Sequence, residues 1–151
     1  MLGLIASDGC VIKEKKSIRP TRVKFHNKEY NLIFKFKKYY KKIFPKSKIK
    51  IIKLKHRDLF EINAYNPLLA SVAFSLGIKP GGDIAPVFGL KELIIKSFLK
   101  GYFDGDGTAY FKKSNTTYSN IEFYTINKVN ARRLFQLLKR IGISSKIYIR
   151  K

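Results

Sequence analysis

The chain has 151 residues, 45% of them hydrophobic, which is enough for a real core and too apolar for a disordered tail. Lysine and arginine number 32 against 10 aspartates and glutamates, giving a net charge of +22 and a pI near 10.2; with 14% aromatics, this is the balance of a folded nucleic-acid binder rather than a basic arm. One cysteine, Cys10, excludes an internal disulfide and a cysteine-rich zinc site, and no uninterrupted apolar span has transmembrane length, so a cytoplasmic location and no membrane partner are expected.

Met1 to Asp8 reads as a short helix, and Cys10 to Lys15 as a strand followed by a turn over Lys16 to Pro20. Thr21 to Phe25 alternates, with Thr21, Val23 and Phe25 against Arg22 and Lys24, which predicts an antiparallel hairpin. Asn27 is a candidate N-cap for an amphipathic helix over Tyr30 to Phe44. Its core face is Leu32, Ile33, Phe36, Tyr40 and Ile43, and Lys35, Lys37, Lys38, Lys41 and Lys42 form its wet side, contributing only to the general field. Ile49 to Lys55 and Leu59 to Tyr65 predict a second hairpin, turning through Lys55, His56, Arg57 and Asp58. Asn66 and Pro67 open a helix over Leu68 to Leu76, ended by Gly77; Lys79 to Gly89 is a loop by its glycines and prolines. A helix over Lys91 to Asp104 follows, then a hairpin from Thr108 to Lys113 and Asn120 to Thr125. Asn127 caps a helix from Val129 to Ile141, ended by Gly142, and Lys146 to Ile149 is a last strand.

Two stretches repeat. Leu99 to Gly107 reads LKGYFDGDG, and Met1 to Gly9 reads MLGLIASDG. The same offset of 98 residues that carries Asp8 onto Asp106 carries Lys48-Ile49-Lys50-Ile51 onto Lys146-Ile147-Tyr148-Ile149. In each copy small residues stand four apart, Gly3 with Ser7 and Gly101 with Gly105, and so share one helix face. Such faces let two helix backbones approach closely. Packed in parallel, the helices would bring Asp8 and Asp106 to the same end, where two carboxylates repel unless a cation lies between them.

These residues resemble the two motifs of the LAGLIDADG homing endonucleases, especially the archaeal dodecapeptide type found in inteins and introns. The resemblance implies an α+β fold of two pseudo-symmetric αββαββα halves, residues 1–90 and 91–151, joined by the motif helices through Gly3, Ser7, Gly101 and Gly105. Their β-sheets would form a saddle on double-stranded DNA. It also implies Mg²⁺, or Mn²⁺ or Ca²⁺, held by Asp8 and Asp106 with the carbonyls of Ser7 and Gly105, for double-strand phosphodiester hydrolysis. The family's accessory lysine falls at Asp83 in this sequence, which leaves Lys79 as its candidate substitute. The second such lysine would fall past Lys151, so the implied activity is that of a degenerate or truncated member. Relative to the family both ends look clipped, which predicts an unpaired last strand, marginal stability or a partner that covers the edge, and either a pseudo-two-fold monomer or self-association through the truncated second half.

Strand alternation selects the DNA-facing set. The faces running from Asp8 and Asp106 hold Cys10, Ile12, Glu14 and Lys16, and Thr108, Tyr110, Lys112 and Ser114. Lys13, Arg22, Lys24, Lys48, Lys50, Lys53, Lys55, Glu61, Asn63, Asn120, Glu122 and Tyr124 complete the candidates. Lysines and Arg22 suit phosphates and guanine, while Asn63, Asn120 and Thr108 suit base edges. His26 and His56 are far apart, without ligand spacing. The alternatives on the same fold are a non-catalytic DNA-binding protein and an RNA-binding maturase; a basic ribosome-associated protein is the alternative outside it.

Overall fold

The computed structural model describes residues 1–14, 17–54, 57–79, 82–112 and 118–149. The elements in chain order are α1 (Leu2–Asp8), β1 (Gly9–Ile12), β2 (Arg22–Asn27), α2 (Tyr30–Ile43), β3 (Lys48–Leu54), β4 (Leu59–Tyr65), α3 (Pro67–Ser75), a 3-10 turn (Ala85–Gly89), α4 (Glu92–Asp106), β5 (Gly107–Lys112), β6 (Tyr118–Phe123) and α5 (Lys128–Arg140). Four antiparallel strands pair in the order β1-β2-β4-β3, and β5 and β6 form a separate antiparallel pair. This is the expected α+β arrangement.

The alternation in β2 decides which face is covered. Val23 and Phe25 are fully buried, and the Phe25 ring stacks on Phe36 of α2 with centroids 5.0 Å apart. Helix α2 lies on that face because Ile33, Phe36 and Tyr40 recur at the helical period. The Tyr40 hydroxyl, buried among apolar groups, reaches the carbonyls of Lys48 at 3.1 Å and Tyr65 at 3.3 Å, which ties the helix to β3 and β4. The other face of the sheet is left open and polar.

The two motif helices pack side by side. Gly3 lies against Phe98, Gly101 and Tyr102, and Gly105 lies against Ser7 and Asp8, so the helices run parallel and in register. A methyl group on Gly3 would stand 2.0 Å from the Phe98 carbonyl oxygen, and one on Gly105 would stand 2.0 Å from Ser7 Oγ. Each helix then runs into its strand with no linker, the acid last in the helix and the glycine first in the strand.

Several expectations are corrected. Asn27 does not cap α2: it is the last residue of β2, and Glu29 occupies the N-cap. Its Oδ1 accepts from the Glu29 N–H at 2.7 Å, a local turn that ends the strand just before the helix begins. The residues from Lys79 to Gly89 are not all loop, since Ala85–Gly89 form a 3-10 turn opened by Pro86. The motif helix runs two residues beyond Asp104, to Asp106. Lys146 to Ile149 form no strand; residues 143–149 carry no regular structure. Their first-repeat counterpart, β3, exists by pairing with β4, and a strand without a ladder partner leaves its backbone groups to water. Asn66, by contrast, caps α3 as expected, accepting from Leu69 N–H at 2.9 Å.

Candidate metal and nucleic-acid site

The parallel helices bring Asp8 and Asp106 together at one end. Burial raises the pKa of Asp8; against this work a 2.8 Å hydrogen bond from Asn27 Nδ2 and the charge of His26. Burial and the neighbouring Asp8 charge push Asp106 up to about 6, opposed by a hydrogen bond from the Tyr102 hydroxyl. Tyr102 is itself pushed up to about 12, first by burial, although the Thr125 hydroxyl hydrogen-bonds to it. Thr125 Oγ1 in turn accepts from the N–H of Asn127, the N-cap of α5, at 3.2 Å. One acid is thus held by a strand-end amide and the other by a chain of hydroxyls leading to a helix cap.

Two half-buried carboxylates that repel each other fit a cation better than they fit each other. Among the described residues no group of three or more His, Cys, Asp or Glu side chains could complete a metal site. The remaining ligands must therefore be carbonyls, water or substrate oxygens, an all-oxygen set that suits hard cations such as Mg²⁺, Mn²⁺ or Ca²⁺. Ser7 and Gly105 pack directly against each other one residue before the acids, which places their carbonyls among the candidates.

The strand registers show where the other candidates fall. Lys24 pairs with Asn63 and with Cys10, Lys50 pairs with Asn63, and Lys48 with Tyr65. Arg22 donates to the Tyr65 hydroxyl at 3.2 Å, its guanidinium 5.5 Å from the ring centroid. These residues share the open face of the sheet with His26 and Glu61. Lys53 does not: it pairs with Phe60 on the opposite face, and its ammonium sits 5.6 Å from that ring and 3.9 Å from Asp58. Lys48 and Lys53 are five residues apart, and an odd separation along a strand changes the face. Lys13 lies just past the end of β1, where alternation no longer assigns a side. In the second sheet Thr108 pairs with Glu122 and Tyr110 with Asn120. Tyr110 donates to Glu122 at 2.6 Å, Asn120 reaches Tyr110 at 3.4 Å, and the Tyr124 hydroxyl hydrogen-bonds to Glu122. Lys112 enters the ladder opposite Tyr118. Lys16, Lys55, His56, Lys113 and Ser114 lie outside the described residues.

Lys79 stands 4.5 Å from the Phe74 ring centroid, and none of its described contacts reaches the acid pair. Asp83 is held by a two-pronged pair with Arg133 of α5, at 3.0 and 2.9 Å, and accepts from Ala85 N–H at 2.8 Å. The arginine holds its carboxyl below the usual range. Lys35, read as wet-side, instead pairs with Asp104 of α4 at 2.5 Å. Sequence reading missed the roles of Asn27, Tyr102 and Thr125. Only Tyr102 carried a signal, since it precedes Asp106 by four residues and so shares its helix face.

A family model described as a LAGLIDADG-like domain matches residues 94–151. The whole chain is similar to the crystal structure of I-DmoI in complex with DNA and manganese: 19% identity, TM-score 0.69, covering 99% of this chain and 80% of that one. The crystal structure of I-DmoI with DNA and calcium aligns with TM-score 0.64 at 21% identity, over 93% of this chain and 69% of that one. Mesophilic variants of the homing endonuclease I-DmoI align with TM-score 0.64 at 20% identity, over 93% and 74%. No curated protein matches the sequence. Residues 94–151 thus match a LAGLIDADG-like domain, and the chain as a whole shares the fold of the homing endonuclease I-DmoI. The resemblance read from the two motifs is borne out.

Proposed function

We propose that the chain is a divalent-metal-dependent endonuclease for specific sites in double-stranded DNA, with slow cleavage. The observation that carries this reading is the convergence of Asp8 and Asp106 at the end of two parallel helices, each acid leading directly into the open face of a sheet. A bound Mg²⁺ would neutralise charge on the scissile phosphate and make water a better nucleophile. Asn27 and Tyr102 hold the two carboxylates in place by donating to them, and the half-burial of both acids restricts water around the phosphate. The cationic and polar strand faces hold the duplex.

Slow cleavage follows from the surroundings of the acids. Asp83 is committed to Arg133, Lys79 rests on Phe74, and among the described residues no lysine contacts the acid pair. The same observation favours a second reading, a DNA-binding protein on this fold that does not cut. Binding sites selected from a randomised duplex pool supply the substrate. The first reading expects cleavage of the selected sites in Mg²⁺, abolished in Asp8→Asn and Asp106→Asn while binding in Ca²⁺ survives. Binding without cleavage at any Mg²⁺ or Mn²⁺ concentration establishes the second. A structured RNA that outcompetes the selected duplex at fixed salt would overturn both.

A further inference from the structure

The open face of the four-stranded sheet is laid out in rows set by the strand registers. The row farthest from the acids holds Ile12, Arg22, Tyr65 and Lys48, the middle row Cys10, Lys24, Asn63 and Lys50, and the nearest row His26, Glu61 and Ile52. Asn27, beyond His26, touches Asp8, which fixes the direction. Glu61 sits at the centre of three donors: Lys24 Nζ at 3.1 Å, His26 Nε2 at 2.8 Å and Asn63 Nδ2 at 2.6 Å. The Glu61 side chain is 11% exposed, whereas those of Lys24 and His26 are 26% and 31% exposed. The carboxylate is therefore an internal clamp, and Lys24 and His26 are what the face presents outward.

An ammonium group has three donors, and one of those of Lys24 is taken by Glu61. Its charge is met by the same carboxylate, so a phosphate brought to Lys24 would also meet the negative charge of Glu61. A base edge is neutral and meets no such repulsion. It also gains from a lysine already held in one position, because less side-chain freedom is lost on binding. Lys48 and Lys50, on the edge strand β3 of the same face, are exposed and have no acidic partner within ion-pair distance among the described residues.

We propose that Lys24, clamped by Glu61, reads a base rather than a phosphate, offering its two remaining N–H donors to the N7 and O6 acceptors of a guanine in the major groove, while Lys48 and Lys50 make the phosphate contacts of this face. The inference rests on the duplex-DNA reading above and names the part of the open sheet face that carries its specificity.

The test is selection of binding sites from a duplex pool randomised over its central window, in Ca²⁺, with the wild-type chain and with Lys24→Met, Glu61→Gln and Lys50→Ala, each checked for its thermal transition. The wild type should select a guanine at one position of the half-site facing β2. Lys24→Met and Glu61→Gln should each flatten that preference by about tenfold and leave the salt dependence of binding unchanged. Lys50→Ala should weaken binding to all sequences alike and lower the salt slope by about one. If Lys24→Met lowers the salt slope by about one and leaves every base preference intact, Lys24 is a phosphate contact and the inference is overturned. If Glu61→Gln folds and keeps the preference that Lys24→Met loses, the clamp is overturned. Should Glu61→Gln fail to fold, Lys24→Met decides the matter, since it leaves Glu61 its bonds to His26 and Asn63. A wild-type chain without salt-sensitive duplex binding overturns the DNA reading itself, an outcome distinct from retained binding with unaltered preference.

Discussion

At the scale of single residues, the glycines of the helix interface and the partners of the two acids have separable effects. Gly105→Ala forces a methyl group into Ser7 Oγ and the Asp8 carboxylate. It should cost about 2–3 kcal/mol of stability, read as a shift in the urea midpoint at unchanged slope. Asn27→Ala removes one donor from a half-exposed carboxylate and should cost about 1 kcal/mol or less. Its larger effect should be on Mn²⁺ binding by calorimetry, weaker by about 10-fold or more, because the amide orients Asp8. Unchanged Mn²⁺ affinity in a folded Asn27→Ala would remove Asn27 from the site. Asp106→Asn should act in the opposite direction on stability. It relieves a carboxylate that burial and Asp8 hold near 6, so in EDTA at neutral pH it should stabilise the chain by about 1 kcal/mol, a figure discounted for the open side of the site.

At the scale of elements, Glu61 joins β2 to β4. Burial raises its pKa, but the hydrogen bonds from Asn63, His26 and Lys24 outweigh that and hold it at about 2. A carboxyl with a lowered folded-state pKa contributes stability above its unfolded value, near 4.5, and loses it as pH falls toward 2. The wild-type denaturation midpoint should therefore fall between pH 4.5 and 2, and Glu61→Gln should be less stable at neutral pH by about 1–2 kcal/mol and lack that part of the fall. An equally steep acid limb in Glu61→Gln would assign it to other carboxyls. The loop before the 3-10 turn is held to α5 by Asp83 and Arg133, an accessible pair whose removal should cost little stability.

At the scale of the whole molecule, the +22 charge is concentrated on β2 and β3, on helices α2 and α5 and in the connecting segments, while most of the ten acids are occupied in local bonds. Helix α2 alone carries five lysines and no acidic residue. Duplex binding should therefore weaken steeply with salt, by about a thousandfold or more between 50 and 200 mM, as for a protein making many phosphate contacts. Affinity that barely changes over that range would mean the field does not face the duplex. The Lys35–Asp104 pair works at this scale too, joining α2 of one repeat to the motif helix of the other.

The sequence by itself determined most of the elements and the three hairpin pairings, whereas the pairing of β2 with β4 is tertiary. The 3.6- and 2-residue periods placed α2, β2 and the hairpin of β3 and β4, because burial of one face is a local property of the pattern. The repeated small residues predicted a close helix pair, since only such a face admits another backbone, and the acid at each motif end predicted the convergence of Asp8 and Asp106. Tertiary structure alone decided what those acids and cations touch. Asn27 looked like a helix cap and became the partner of Asp8, because a strand end met the motif helix. Lys35 looked like a surface charge and Lys53 like a DNA contact until Asp104 and Phe60 came beside them. Asp83 found Arg133 fifty residues away. Lys146 to Ile149 had the composition of a strand but meet no ladder partner among the described residues. Each of these depends on which distant groups become neighbours, and local periodicity carries no information about that.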